Sequence, residues 1–322
     1  MAGRIVASGS GSIADVVEKH FDPVFANTLV LNSVLWNLLP KEPCKGKIYW
    51  KARYAGNTSA ASYGETDTTA TAGYQAFEEA VLDPKYVKVE IQITGPAQAI
   101  SDAGGALIDV LKDEMEGGMN DLVDEMNTQL YGDGTGNSSK DLTGLAAGVD
   151  DATNVATYAN LARGTYAWWK ALYMGNDGDA RPLTLDLMKD TFRLQRKNGG
   201  KLDLILTNPD HSSQYEDLLT PVAQNRYQVQ EGGKVGEGVG AGATNLFFKG
   251  VPIVDDNGCP EGKMYFLDRR WIKYRILKQF SVKEMGATTD ATQLWLRHYG
   301  NLQVKDPKKQ AQIADLSPAQ AT

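Results

Sequence analysis

Residues 56–84 read GNTSAASYGETDTTATAGYQAFEEAVLDP, 29 residues rich in Thr, Ser, Ala and Gly with few large apolar side chains. Two alternating stretches flank them. In KIYWKARYA, residues 47–55, Ile48, Trp50, Ala52 and Tyr54 alternate with Lys47, Tyr49, Lys51 and Arg53. In KYVKVEIQIT, residues 85–94, Val87, Val89, Ile91 and Ile93 alternate with Lys88, Glu90 and Gln92. Period two with one charged face predicts two half-exposed strands, paired with each other. The polar stretch between them cannot bury enough apolar area to offset its own ordering entropy. Structureless loops of that length are uncommon inside a compact domain. The expectation is a two-stranded arm with a polar tip, ordered only against a partner.

The rest of the chain can build a core. It has 322 residues, 42% hydrophobic and 23% charged, which allows one large domain or two interleaved ones. No apolar run approaches the ~18 residues of a membrane helix. The first residues, MAGRIVASGSGSIADVVEKH, lack the apolar centre of a signal peptide. Cys44 and Cys259 are far apart, as expected of free thiols in a reducing cytoplasm. A net charge of -7 argues against gripping nucleic acid over a broad basic face, though not against surrounding it.

Helical spacing runs through Val16, Val17, Phe21, Val24 and Phe25, and continues through Val30, Leu31, Val34, Leu35, Leu38 and Leu39. Pro40 and Pro43 stop it. This predicts an arm. A longer helix is predicted from about residue 106 to 131, with Leu107, Ile108, Leu111, Met115, Met119, Leu122, Val123, Met126 and Leu130 on one side. Acidic residues fill most of the other positions. Gly117 and Gly118 lie mid-helix, where each costs ~1 kcal/mol relative to Ala. They predict a bend or a close packing contact.

Residues 131–136, YGDGTG, look at first like a phosphate loop. They follow a helix C-terminus, whose partial charge repels phosphate, whereas such a loop precedes a helix N-terminus. The Walker pattern is also absent. Gly132 therefore reads as a left-handed helix stop. Further on, TYAWWKALYMG (165–175) reads as strand and TLDLMKDTFRLQRKNGG (184–200) as helix. KLDLILTNPD (201–210) reads as a buried strand, with Asp210 capping a helix to residue 219. EGGKVGEGVGAGAT (231–244), containing Gly236, Gly238 and Gly240, is a glycine loop followed by a strand, which fails the dinucleotide context. NLFFKGVPIVDD, KMYFLDRR and WIKYRI read as strands, with two more in residues 281–307. The tail from Lys308 reads as loose.

No catalytic constellation emerges. Asp210, His211 and Ser212 are adjacent in sequence, and adjacent side chains rarely converge as a triad. His20, His211 and His298 show no metal-ligand spacing with the cysteines. Trp168 and Trp169 fit core or contact aromatics better than base stacking.

The order of elements then carries a resemblance. An arm, a polar-tipped hairpin, a long acidic helix ending in QLYGDGTG, a mixed segment with a glycine loop, GVPIVDD and GNLQVKDP follow one another. This resembles the major capsid protein of tailed bacteriophages, the Hong Kong 97 fold. The resemblance implies an α+β fold with an N-arm (1–43), an extended hairpin loop (44–94), a peripheral domain with a spine helix (95–200 and 270–322) and an axial domain (201–269). It implies homo-pentamers and homo-hexamers closing an icosahedral shell around double-stranded DNA, assembled in the bacterial host cytoplasm. No enzyme activity, cofactor, metal or membrane is implied. A portal protein and a decoration protein would be partners. The stretch before Lys47 is too short for the scaffolding segment that some relatives carry, so a separate scaffolding protein is expected. Residues 56–84 contain no lysine, so the covalent cross-link of some relatives is not expected. Tyr54, Tyr63, Glu65, Tyr74 and Phe77 would be inter-subunit contacts, Gly117 and Gly118 a spine-helix hinge, and Gly236, Gly238 and Gly240 an axial loop. An encapsulin-like nanocompartment shell shares the fold and is the alternative.

Overall fold

The computed structural model describes residues 34–57, 59–66, 68, 73–96, 107–219, 246–286 and 290–318. The expected arm helix before residue 34 and the glycine loop with Gly236, Gly238 and Gly240 lie outside them.

In chain order the elements are α1 (Val34–Leu38), β1 (Lys41–Pro43), β2 (Ile48–Ala55), β3 (Ala76–Leu82), β4 (Lys85–Thr94) and α2 (Leu107–Tyr131). Then come α3 (Leu145–Gly148), the short strands β5 (Thr157–Tyr158) and β6 (Leu161–Ala162), β7 (Leu172–Met174), α4 (Leu185–Lys197), β8 (Leu204–Thr207) and α5 (Pro209–Leu219). The last are β9 (Leu246–Phe248), β10 (Val251–Asp255), β11 (Met264–Leu267), β12 (Ile272–Met285), β13 (Ala291–Val304) and β14 (Ala311–Ile313).

Two sheets organise them. One has four strands in the order β1-β12-β13-β4. The other has six, in the order β7-β14-β11-β8-β10-β9. Helix α2 lies against the four-stranded sheet through Met115, Met119, Leu122, Val123, Met126 and Leu130, all buried. The six-stranded sheet is covered on both faces. Leu204, Leu206, Val254, Tyr265 and Leu267 join the core beneath α2. Ile205, Ile253, Met264, Phe266 and Ile313 join a second core with Met188 of α4 and Tyr215 of α5. Double coverage explains why LILT and MYFL are continuous apolar runs instead of alternating ones.

Several expectations change. Strand β4 does not pair with β2; it pairs with β13, while β2 pairs with β3. The hairpin tip is therefore residues 56–75, and AFEEAVL is its returning strand. Only Ala80 and Leu82 of β3 are buried, too little apolar signal to mark it in sequence. The six-stranded sheet also draws β7 and β14 from outside residues 201–269. The tail is not loose through residue 318: β14 sits between β7 and β11 with every residue buried. WIKYRI and SVKEM form one strand, β12. AWW is a 3-10 turn ahead of β7, not strand. The capping carboxamide of α5 is Asn208, whose Oδ1 accepts from the Asp210 N–H at 3.0 Å; Asp210 itself lies in the first turn. The left-handed residue after α2 is Gly134 (φ +81), not Gly132, and a Cβ there would stand 3.1 Å from Thr143 Cα.

Helix α2 runs through both glycines as one element. The two differ in surroundings. A Cβ on Gly118 would stand 2.9 Å from Ile91 Cδ1, so Gly118 allows the helix to lie close on β4. Gly117 faces outward with nothing within 4 Å.

Candidate functional site

The exposed hairpin is the least covered part of the described chain. Strands β2 and β3 make a two-stranded sheet of their own, a form that is marginal without further cover. Its root is held: Ile48, Ala52, Ala80 and Leu82 are buried, and Trp50 Nε1 donates to the Lys305 carbonyl at 3.1 Å. Its tip is not: Tyr63 is 88% exposed and Tyr74 85%. Glu65 is exposed as well. Phe77 is 49% exposed near the tip. Tyr54 differs from these, because its ring stacks on Trp168 of its own chain, 5.3 Å between centroids and 15° between planes.

A second surface lies at the β4 edge of the four-stranded sheet, beside the C-terminal end of α2. Tyr86, Lys88, Trp295, Arg297 and Tyr299 line a groove there of about 680 Å³, together with Glu125 and Gln129 of α2 and with Lys140 and Asp141. The Lys88 ammonium stands 3.9 Å over the Trp295 ring and Tyr86 meets Tyr299 edge to face. Alternation in residues 85–94 marks the Lys88 side of this groove; the partner strand is β13 and not β2, so sequence alone does not show the groove.

At the hairpin root, Glu42 of β1 binds both Lys273 and Arg275 of β12. The hydrogen bond from Lys273 holds its carboxyl below the usual range. Lys305 lies beside them, its pKa lowered by burial and then by the charges of Lys273 and Arg275. The alternation of Lys273 and Arg275 in WIKYRI carried this signal.

Two buried groups tie the N-terminal root to the body, and sequence gave no sign of either. Asp256 accepts from Tyr131 Oη at 2.6 Å and from the Leu35 N–H at 3.1 Å, joining α2, α1 and the end of β10. His298 is enclosed by Phe280, Tyr274 and Trp36, stacked on Phe280 at 4.3 Å. Its Nε2 meets Tyr274 Oη at 3.1 Å. Burial pushes its pKa down to about 3.

No catalytic grouping forms around the polar residues. His211 Nε2 accepts from the Gly262 N–H at 3.1 Å and Ser212 Oγ donates to the Pro209 carbonyl, so both are used in holding the turn. Among the described residues there is no group of three or more His, Cys, Asp or Glu able to hold a metal. Both cysteines are free, Cys259 buried with its thiol pushed up by burial.

An α+β body with a long helix on a four-stranded sheet, a six-stranded sheet covered on both faces and a protruding hairpin has the architecture of the Hong Kong 97 fold. The comparisons bear this out. The cyanophage A-1(L) capsid asymmetric unit superposes with a TM-score of 0.73 at 19% identity, covering 88% of this chain and 94% of that one. The capsid of the native GTA particle gives 0.62 at 12% identity, covering 89% and 92%. The SrpI encapsulin of Synechococcus elongatus gives 0.55 at 14%, covering 89% of each. No curated protein sequence matches. The model of the SU10 major capsid protein family matches residues 59–317. The chain belongs to that family and is a major capsid protein, a component of a virion shell.

Proposed function

We propose that the chain closes an icosahedral shell of pentamers and hexamers around double-stranded DNA, with each hairpin lying over a neighbouring copy. The observation that carries this is the pair of almost fully exposed tyrosines, Tyr63 and Tyr74, on an arm that the described residues leave bare. Aromatic side chains anchor interfaces, and obligate ones commonly bury more than ~2,000 Å². Glu65 and Phe77 would join this contact, and Tyr54 would stiffen the arm from within. The groove at Tyr86, Trp295 and Arg297, which carries charges of both signs, offers aromatic faces to a tyrosine-bearing tip. The N-arm would be residues 1–43. The four-stranded sheet with α2 would form the peripheral domain, and the six-stranded sheet the axial domain, with Gly236, Gly238 and Gly240 at its tip. Gly117 and Gly118 would let α2 bend between shell states. A separate scaffolding protein, a portal and a decoration protein would complete the particle, built in the host cytoplasm.

The purified chain, imaged by negative-stain electron microscopy with and without scaffold, tests this. Shells or capsomer rings are expected; a monomer under all assembly conditions would refute it. Nucleic acid inside the shells is expected, and a packaged enzyme would instead identify a nanocompartment. Denatured shells should run at the 35.0 kDa monomer with no ladder above it.

A further inference from the structure

We propose that a recessed basic cleft at the hairpin root receives the acidic ridge of α2 from a second copy of this chain. The inference rests on the shell reading and adds a specific contact to it.

The cleft lies between the start of β2 and the paired ends of β12 and β13. It holds about 360 Å³ and is lined by Lys45, Lys47, Arg275, Gln303 and Lys305, with no carboxylate in its wall. The acids nearby are already engaged. Asp83 takes Lys47 at 3.1 Å, and Glu42 takes both Lys273 and Arg275. Among the described residues no carboxylate lies within ion-pair distance of Lys45 or Lys305. Two further polar atoms have no partner among the described residues: Arg275 Nε and Gln303 Oε1, the latter on a side chain only 2% exposed. Cations crowded into a partly dehydrated cleft stabilise an incoming carboxylate more than the same charges in open water would.

The complementary surface is on α2. Residues 107–131 contain seven acids, Asp109, Asp113, Glu114, Glu116, Asp121, Asp124 and Glu125, against one base, Lys112. Glu114, Gly117, Asp121, Asp124 and Thr128 are all exposed and follow the spacing that puts them on one ridge. Gly117 leaves that ridge bare between Glu114 and Asp121, with nothing within 4 Å of where a Cβ would stand. A neighbour's loop can approach the helix backbone there. Like charges along one ridge repel each other, and the cleft relieves that repulsion.

A second copy fits better than nucleic acid. Lys45 and Lys47 are exposed at the rim, but the floor is recessed, with Arg275 22% and Gln303 2% exposed, and Gln303 Oε1 is an acceptor that a phosphate could not satisfy. The same chain also carries the matching acids, so a symmetric assembly presents cleft and ridge in equal number.

The test is a charge exchange in the full chain. Lys45→Glu with Lys305→Glu should cut shell or capsomer yield at least tenfold. Asp121→Lys with Asp124→Lys should do the same. The chain carrying all four changes should recover assembly, which lost folding could not produce. Circular dichroism and sedimentation of the unassembled subunits check that each variant folds. Parent-like assembly of either charge-reversed pair, or failure of the fourfold variant to recover, overturns the inference while leaving the shell reading intact. Unchanged assembly with reduced nucleic acid content overturns it in favour of a nucleic-acid contact. A parent chain that never assembles overturns the shell reading, and this inference with it.

Discussion

The C-terminal strand and the hairpin tip are both poor in large apolar side chains, and they end in opposite environments. KKQAQIADL places Gln310, Ala311, Gln312 and Ile313 at no more than 1% exposure. The tip leaves Tyr63 and Tyr74 at 88% and 85%. The difference lies in the backbone. Strand β14 has a partner on each side, parallel β7 and antiparallel β11, and Gln310 exchanges hydrogen bonds with the Asp268 backbone, at 2.8 Å to the N–H and 3.2 Å to the carbonyl. Among the described residues the tip has neither a ladder partner beyond its own hairpin nor a core beneath it. Covered polar chain stabilises the subunit; uncovered aromatic chain is available to stabilise the lattice.

That contrast can be broken most severely at Ile313. Ile313→Asp would place an unpaired carboxylate in the second core and should cost about 4 kcal/mol, read as a lower urea midpoint of the unassembled subunit. Ser62→Asp in the tip should change the same midpoint by no more than about 0.5 kcal/mol. Equal effects would dissolve the distinction.

Acid should act on the covered side only. The His298 pKa is about 3 in the folded chain against 6.5 ordinarily. Between those values the unfolded chain binds a proton that the folded chain excludes, so stability falls as pH drops from about 6.5 toward 3. The slope contributed by this group approaches about 1.4 kcal/mol per pH unit. His298→Phe, which keeps a ring between Phe280 and Tyr274, should flatten that dependence in urea titrations across the window.

The adjacent glycines sharpen the comparison at single-residue scale. Gly118→Val should destabilise the subunit by about 1–3 kcal/mol through overpacking on Ile91 and Val89. Gly117→Ala should stabilise it by about 0.5–1 kcal/mol, since only helix propensity changes. Thermal melts of the two variants should move in opposite directions. If Gly117→Ala shells also expand as the parent does, the hinge reading of that residue falls.

The smallest effect on the subunit is expected at the tip. Tyr63→Ala with Tyr74→Ala should leave the urea midpoint within about 0.5 kcal/mol of the parent while lowering shell yield. Undiminished yield would remove these tyrosines from the interface.

Much of this was legible because periodicity reports local faces. Met115, Met119 and Met126 gave α2, and Thr184 with Gly199 bounded α4: the Thr184 hydroxyl accepts from the Leu187 N–H at 3.2 Å and Gly199 takes φ +83. Strands β2 and β4 alternate as their half-exposed faces require. Pairing was not legible, because alternation says which face a strand buries and not which strand lies beside it. AFEEAVL hid a strand for want of large apolar residues, and β4 was matched to the wrong neighbour as a result. The tail was misread for the same reason, its order coming from hydrogen bonds to distant strands. Among site residues, the tip tyrosines stood out as aromatics in a polar stretch. Asp256 and His298 did not, since their roles depend on partners more than a hundred residues away or on the neighbouring strand.

The position of β14 has a temporal consequence. Its residues follow those of every other strand in both sheets, yet it occupies an interior place in the six-stranded one. On a growing chain, β7 and β11 exist before the strand that joins them, and the gap closes only when residues 311–313 have been made. Such long-range pairing is slow to form. The six-stranded sheet is therefore continuous only after the segment that follows all its other strands has been made and threaded between β7 and β11.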